Sequence, residues 1–226
     1  MLRKRYLTLL ALLFISGLSQ ASVTLSGTRV IYNTDRKESN ISVKNNSDNP
    51  FLVQSWVQSN DSLGTKPPFI VTPPLFRLDA GKTNTLRIIY NGAALPQDRE
   101  SLFWLNVKSI PSSSKEDVNK LQIAINTRIK LFYRPTTLSD DIDEIRHHVH
   151  WSTVGNKLIV RNDSSYYISF FDVKINGKSI TDIDMLAPKS NKEFTFNTPP
   201  TKNKPVHWTY INDYGGTSQL IEQRIE

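Results

Sequence analysis

The sequence predicts an all-β chain folded as two sandwich- or barrel-like domains. Three observations carry this expectation. Short apolar runs alternate with period two, turn clusters rich in Asn, Gly and Pro separate them, and no segment sustains a 3.6-residue apolar period. The length points the same way, because 226 residues exceed the usual single-domain size of about 100–150 residues.

The first elements address the chain rather than fold it. Arg3, Lys4 and Arg5 form a positive start, residues 7–15 are nearly all apolar, and Ser19 and Ala21 are small residues at the −3 and −1 positions of a cleavage site. This predicts a secretory signal peptide over residues 1–21. The apolar stretch is short for a membrane anchor, which needs about 20 residues. No later stretch is long and apolar enough to be a membrane helix, so the mature chain is not expected to be membrane-embedded.

Strands follow in order. Val30 and Ile31 precede a polar turn. Ile41 and Val43 alternate with polar neighbours, and Asn45-Asn46-Ser47-Asp48-Asn49-Pro50 is a strong turn cluster. Residues 51–58 place Val53, Ser55 and Val57 on one face and Leu52 and Trp56 on the other. Pro67, Pro68, Pro73 and Pro74 confine the next region to short edge pieces. Residues 83–90, 101–110 and 120–133 read as the remaining strands of a first domain, residues 22–138. After Pro135 comes a polar, acidic stretch with Asp140, Asp141, Asp143 and Glu144, and β patterns then resume in a second domain, residues 139–226. There Asn176-Gly177 is the best short hairpin signal.

Composition excludes several function classes. Removing the leader takes three from the 28 Lys+Arg and none from the 21 Asp+Glu, leaving a charge of about +4. With no basic run or aromatic RNA-binding motif, no nucleic-acid partner is expected. The absence of cysteine excludes thiol chemistry and leaves stability to the apolar core. No nucleophile elbow, phosphate loop or dinucleotide fingerprint occurs, so neither an enzyme nor a cofactor is expected. His147-His148-Val149-His150 is the best metal lead, because His148 and His150 would share a face in a strand. A structural zinc site needs four ligands at defined geometry, and the bland reading, an exposed histidine cluster beside the linker, is preferred. No metal site is expected.

The stretch Leu95-Pro96-Gln97-Asp98-Arg99-Glu100-Ser101-Leu102-Phe103-Trp104-Leu105-Asn106-Val107-Lys108-Ser109-Ile110-Pro111 resembles the signature of the periplasmic pilus (fimbrial) assembly chaperones. Thr28-Arg29-Val30-Ile31-Tyr32, Val71-Thr72-Pro73-Pro74-Leu75-Phe76-Arg77-Leu78, Leu86-Arg87-Ile88-Ile89-Tyr90, Ile129-Lys130-Leu131-Phe132-Tyr133-Arg134-Pro135 and Asn212-Asp213-Tyr214-Gly215-Gly216 are similar to further family stretches, in the expected order. The resemblance implies two immunoglobulin-like β-sandwiches set at an angle around a cleft, in a periplasmic protein. Its partners would be pilus subunits, held by a lent β-strand, and an outer-membrane usher.

Three constellations follow from the resemblance. Leu121, Ile123 and Ile125 would belong to the donor strand, lending apolar side chains to a subunit whose core lacks its last strand. Burying three could contribute roughly 5–9 kcal/mol before ordering costs. Read from the residues alone, the same alternation is that of an ordinary core strand. Arg29 and Lys130 would anchor the subunit's C-terminal carboxylate, a planar fork beside a compact point charge. Lys130 has the opposite parity to the three donor residues, which a bulge, a twist or a strand end could reconcile. Glu100, Arg134 and Asp213 would form an ion cluster between the domains. Between Pro111 and Leu121 the connection is short and polar, as in the short-loop branch of the family, which generally serves rod-like adhesive pili. An exposed donor strand also invites self-capping by dimerisation. The competing reading is a pilus subunit or a surface-binding immunoglobulin-like module.

Overall fold

The computed structural model describes residues 22–60, 66–112, 121–138, 142–181, 183–196 and 200–226. The expected leader lies outside the described residues, as do Asp140 and Asp141.

Two β-sandwiches form, each around its own core. In the first, one sheet has the order β1-β3-β7-β5, made of Val23–Leu25, Ser39–Asn45, Thr83–Tyr90 and Phe69–Thr72. The other has the order β2-β9-β8-β4-β6, made of Arg29–Asn33, Ile125–Arg134, Ser101–Pro111, Phe51–Ser59 and Leu75–Leu78. Period-two alternation decides what enters the core. Val53, Ser55 and Val57 of β4 are buried while Leu52 faces out, and Val43, Leu86, Leu105 and Leu131 are fully buried between the sheets. The prolines act as expected: β5 and β6 are edge strands of different sheets, joined across Pro73 and Pro74.

The second sandwich packs β10-β11-β15 (Val149–Val154, Lys157–Asn162, Ser190–Thr195) against β13-β12-β16-β17 (Lys178–Ser179, Ile168–Ile175, Pro205–Tyr210, Ile221–Arg224), with β14 (Met185–Leu186) beside β12. Trp151, Trp208, Leu158 and Ile168 are fully buried in its core. Asn176 and Gly177, both at positive φ, close the β12–β13 hairpin as their sequence predicts. A 3₁₀ segment, Ile142–His148, leads into this domain.

The two halves share a corner, at Val43-Lys44-Asn45-Asn46-Ser47 and Val160-Arg161-Asn162-Asp163-Ser164. Asn45 and Asn162, each at the end of a strand and fully buried, accept from the backbone N–H and hydroxyl of the serine two residues on. Each amide NH₂ donates to carbonyls of a neighbouring loop. A buried asparagine can satisfy both its acceptor and its donors this way.

One strand differs from expectation. β9 begins at Ile125, not near residue 120, so Leu121 and Ile123 precede it. Its partner β8 pairs Ser109 with Ile125 and ends at Pro111, which has no N–H to offer. The ladder therefore stops there.

Candidate functional site

The candidate site lies where the two sandwiches meet, on the outward face of the β2-β9-β8 sheet. The register of β9 against β8 runs unbroken from Ile125 to Tyr133, so its faces alternate strictly. Ile129, Leu131 and Tyr133 point into the first core. The intervening Lys130, Phe132 and Arg134 face the second domain. This removes the parity difficulty without a bulge, because one strand carries the apolar row on one face and the cations on the other. Phe132 is buried although it points outward, covered by Tyr167 at a ring separation of 5.7 Å.

Glu100, Arg134 and Asp213 are brought into contact where the two sandwiches meet. Arg134 donates from Nε to Glu100 at 2.7 Å, and from Nη1 and Nη2 to the two carboxylate oxygens of Asp213 at 2.5 and 2.8 Å. The second Glu100 oxygen accepts the Tyr167 N–H at 2.8 Å, and the Glu100 N–H donates to the Ser165 carbonyl at 2.9 Å. Burial pushes the Glu100 carboxyl above its ordinary range, against the pull of Arg134 and the Tyr167 N–H. Arg134 is buried too, yet its two carboxylate partners hold it firmly protonated. Asp213 is carried on a loop whose close approach requires glycine. Gly215 has φ +83°, and a Cβ there would lie 2.5 Å from the Thr28 hydroxyl.

Arg29 and Lys130 are opposite one another in the parallel β2–β9 pair, so both enter the cleft. Arg29 donates from Nη1 to the Ile211 carbonyl at 2.9 Å, and its guanidinium lies 5.8 Å from the Phe132 ring centre. Its Nε is buried and finds no partner among the described residues. Burial lowers the Arg29 pKa, opposed by Asp213 and Glu100. A cavity of about 230 Å³ opens beside it, lined in part by Arg134, Tyr210 and Tyr214. Lys130 Nζ lies 3.2 Å from Asp184 Oδ1 and 3.3 Å from Ser169 Oγ. Sequence reading missed Tyr167, Ser169, Asp184 and Ile211. Only the last adjoins a motif, Asn212-Asp213-Tyr214-Gly215-Gly216.

Ile125 has the parity of the inward-facing row of β9, and Leu121 and Ile123, of the same parity in sequence, precede the strand. Leu121, Ile123 and Ile125 are 87 %, 66 % and 54 % exposed, whereas Leu131, of the same parity, is fully buried. The edge beside them is open. β2 pairs only with Lys130 to Arg134, so residues 125–129 have β8 on one side and no strand on the other among the described residues.

The histidine lead changes form. His148 ends the 3₁₀ segment while His150 lies in β10, so they do not share a strand face. His147 sits 2.9 Å from Glu144, and His150 lies 3.5 Å from both Asp163 and Glu226.

Comparison with known proteins agrees with this architecture. Residues 22–139 match the family described as "Pili and flagellar-assembly chaperone, PapD N-terminal domain", and residues 144–222 match "Pili assembly chaperone PapD, C-terminal domain". The chain is 40 % identical to the probable fimbrial chaperone LpfB of Escherichia coli O157:H7, over 100 % of this chain and 99 % of that one. Among solved structures it is similar to the SafB chaperone in complex with the SafA pilin of Salmonella enterica. The TM-score is 0.80 at 32 % identity, with coverage of 92 % of this chain and 98 % of that one. It is also similar to the periplasmic chaperone SfaE, with a TM-score of 0.73 at 36 % identity and coverage of 90 % and 98 %. With a cation-lined cleft between two sandwiches and matches spanning both, the chain belongs to the PapD-like pilus-assembly chaperone family.

Proposed function

We propose that the protein is a periplasmic chaperone that captures pilus subunits on the open edge of β9 and passes them to an outer-membrane usher. The observation that carries this reading is the edge of residues 125–129, unpaired among the described residues, fronted by exposed Leu121, Ile123 and Ile125 and ending at Arg29 and Lys130. An incoming strand gains backbone partners along β9 and apolar side chains from the exposed row. Anchored by its C-terminal carboxylate at Arg29 and Lys130, it runs parallel to β9 and continues the track of β2, itself parallel. The pairing of Arg29 with Lys130 across β2 and β9 supports the anchor, since a guanidinium fork beside an ammonium suits a carboxylate. The Glu100–Arg134–Asp213 cluster holds the two domains so that the cleft keeps its width. SafB is seen in complex with the SafA pilin and SfaE is a periplasmic chaperone, and the expected leader suits that compartment. Without a subunit, the same edge is free to pair with a second copy.

The test is co-expression with candidate subunits from the chain's own operon, recovering complexes from the periplasm. A soluble one-to-one complex with the wild type, lost in Arg29→Ala with Lys130→Ala while the thermal melt is kept, is the expected outcome. Normal recovery with both changes refutes the anchor, and no complex with any neighbouring subunit refutes the chaperone reading.

A further inference from the structure

Lys130 already holds a carboxylate. Its side chain is only 14 % exposed, and its ammonium contacts Asp184, whose side chain is 79 % exposed. The Asp184 backbone is pinned: its carbonyl accepts the Phe170 N–H at 2.9 Å, and the next residue, Met185, pairs with Ser169. Its side chain is mostly in solvent, so it can be displaced from Lys130 without moving that backbone.

Among the described residues, the charges paired in the cleft balance in this arrangement. Arg29, Lys130 and Arg134 face Glu100, Asp213 and Asp184. A further carboxylate bound at Arg29 and Lys130 would leave an excess negative charge in a half-buried site, where charge imbalance is costly. Glu100 and Asp213 cannot leave, because Glu100 is buried and both are tied to Arg134. Asp184 can.

We propose that Asp184 is a placeholder carboxylate. It occupies Lys130 in the free chain, the terminal carboxylate of the bound subunit displaces it, and it thereby sets how tightly that end is held and how readily it is released. Asp184 is thus a positioning and affinity-setting residue, and the inference rests on the anchoring reading of Arg29 and Lys130. By returning to Lys130, it also spares the cleft an unpaired cation once the subunit departs.

The test uses the mature full-length chain and a synthetic strand peptide with apolar residues at every second position, made as the free acid and as the C-terminal amide. Binding is measured by titration calorimetry. Asp184→Asn is expected to tighten the free-acid peptide about two- to fivefold, the scale of an ion pair with one exposed partner. It is expected to leave the amide unchanged, and the gain is expected to vanish when Lys130→Met is also present. Preference for the free acid with no gain, or a loss, in Asp184→Asn overturns the placeholder and leaves the anchor standing. An equal gain for acid and amide also overturns it, since the change would then not act through the carboxylate. Equal binding of both forms by the wild type, or none, overturns the anchor and the placeholder with it.

Discussion

Ile123→Asp separates a donor segment from an ordinary core strand, because the two roles make opposite demands on one side chain. In the free chain Ile123 is 66 % exposed and precedes β9, so it has little packing to lose. The change should cost the chaperone no more than about 0.5 kcal/mol. In the complex the same side chain enters the subunit's groove, where an apolar residue of this size contributes about 1.5–3 kcal/mol. Burying a carboxylate there adds to the loss, giving about 3 kcal/mol or more, a drop in affinity beyond a hundredfold. Leu131→Ala is the internal control. It has the same parity, is fully buried, and should destabilise the chaperone by about 2–5 kcal/mol. The assay pairs a calorimetric melt of each purified variant with recovery of the one-to-one subunit complex on co-expression. Ile123→Asp should melt like the wild type and recover no complex, whereas Leu131→Ala should melt early. If Ile123→Asp melts as early as Leu131→Ala, the residue serves the chain's own core. If it recovers normal complex, the donor segment does not include it.

Further tests bear on the junction of the domains. Arg134→Ala leaves buried Glu100 without its cation, which should cost about 3–5 kcal/mol and split a single calorimetric transition into two; one unshifted transition would show that the cluster does not couple the domains. Glu100 gives a pH signature. Its carboxyl is raised in the folded chain, so its favourable contribution is complete below the ordinary Glu range and is lost as pH rises through the raised value. Glu100→Gln should therefore gain on the wild type with rising pH, as followed by denaturant unfolding; the opposite slope would mean that Arg134 outweighs burial. Gly215→Ala forces a side chain into positive φ against Thr28 and should lower stability by about 1–3 kcal/mol. Thr28→Ala should recover only part of that loss in a thermal melt, because it relieves the contact and not the backbone.

Most strands were legible because alternation is a local property. Val53, Ser55 and Val57 face inward as their spacing requires, and Asn176-Gly177 turns where its backbone preference puts the hairpin. The start of β9 was not legible. Leu121 and Ile123 have the right residue types, but a strand needs a partner, and β8 ends at Pro111. The parity of Lys130 looked like a conflict only while both faces of β9 were assumed to serve one purpose. Asp184 and Ser169 were invisible for a different reason. Each lies in a short segment without a motif, and their meaning comes from a cation 54 and 39 positions away in the chain.

The sequence by itself determined the all-β class, the inward rows of the strands and the residue types of the cleft, because pleat, turn chemistry and family motif are written in neighbouring residues. Only the tertiary structure decided which outward side chains would meet. Arg29 reaches Ile211 across 182 positions, and Arg134 reaches Asp213 across 79. Such pairings depend on how two separately cored sandwiches dock, on burial that turns ordinary ions into coupled ones, and on a β2 whose pairing begins at Lys130 and so leaves residues 125–129 without a strand on that side among the described residues.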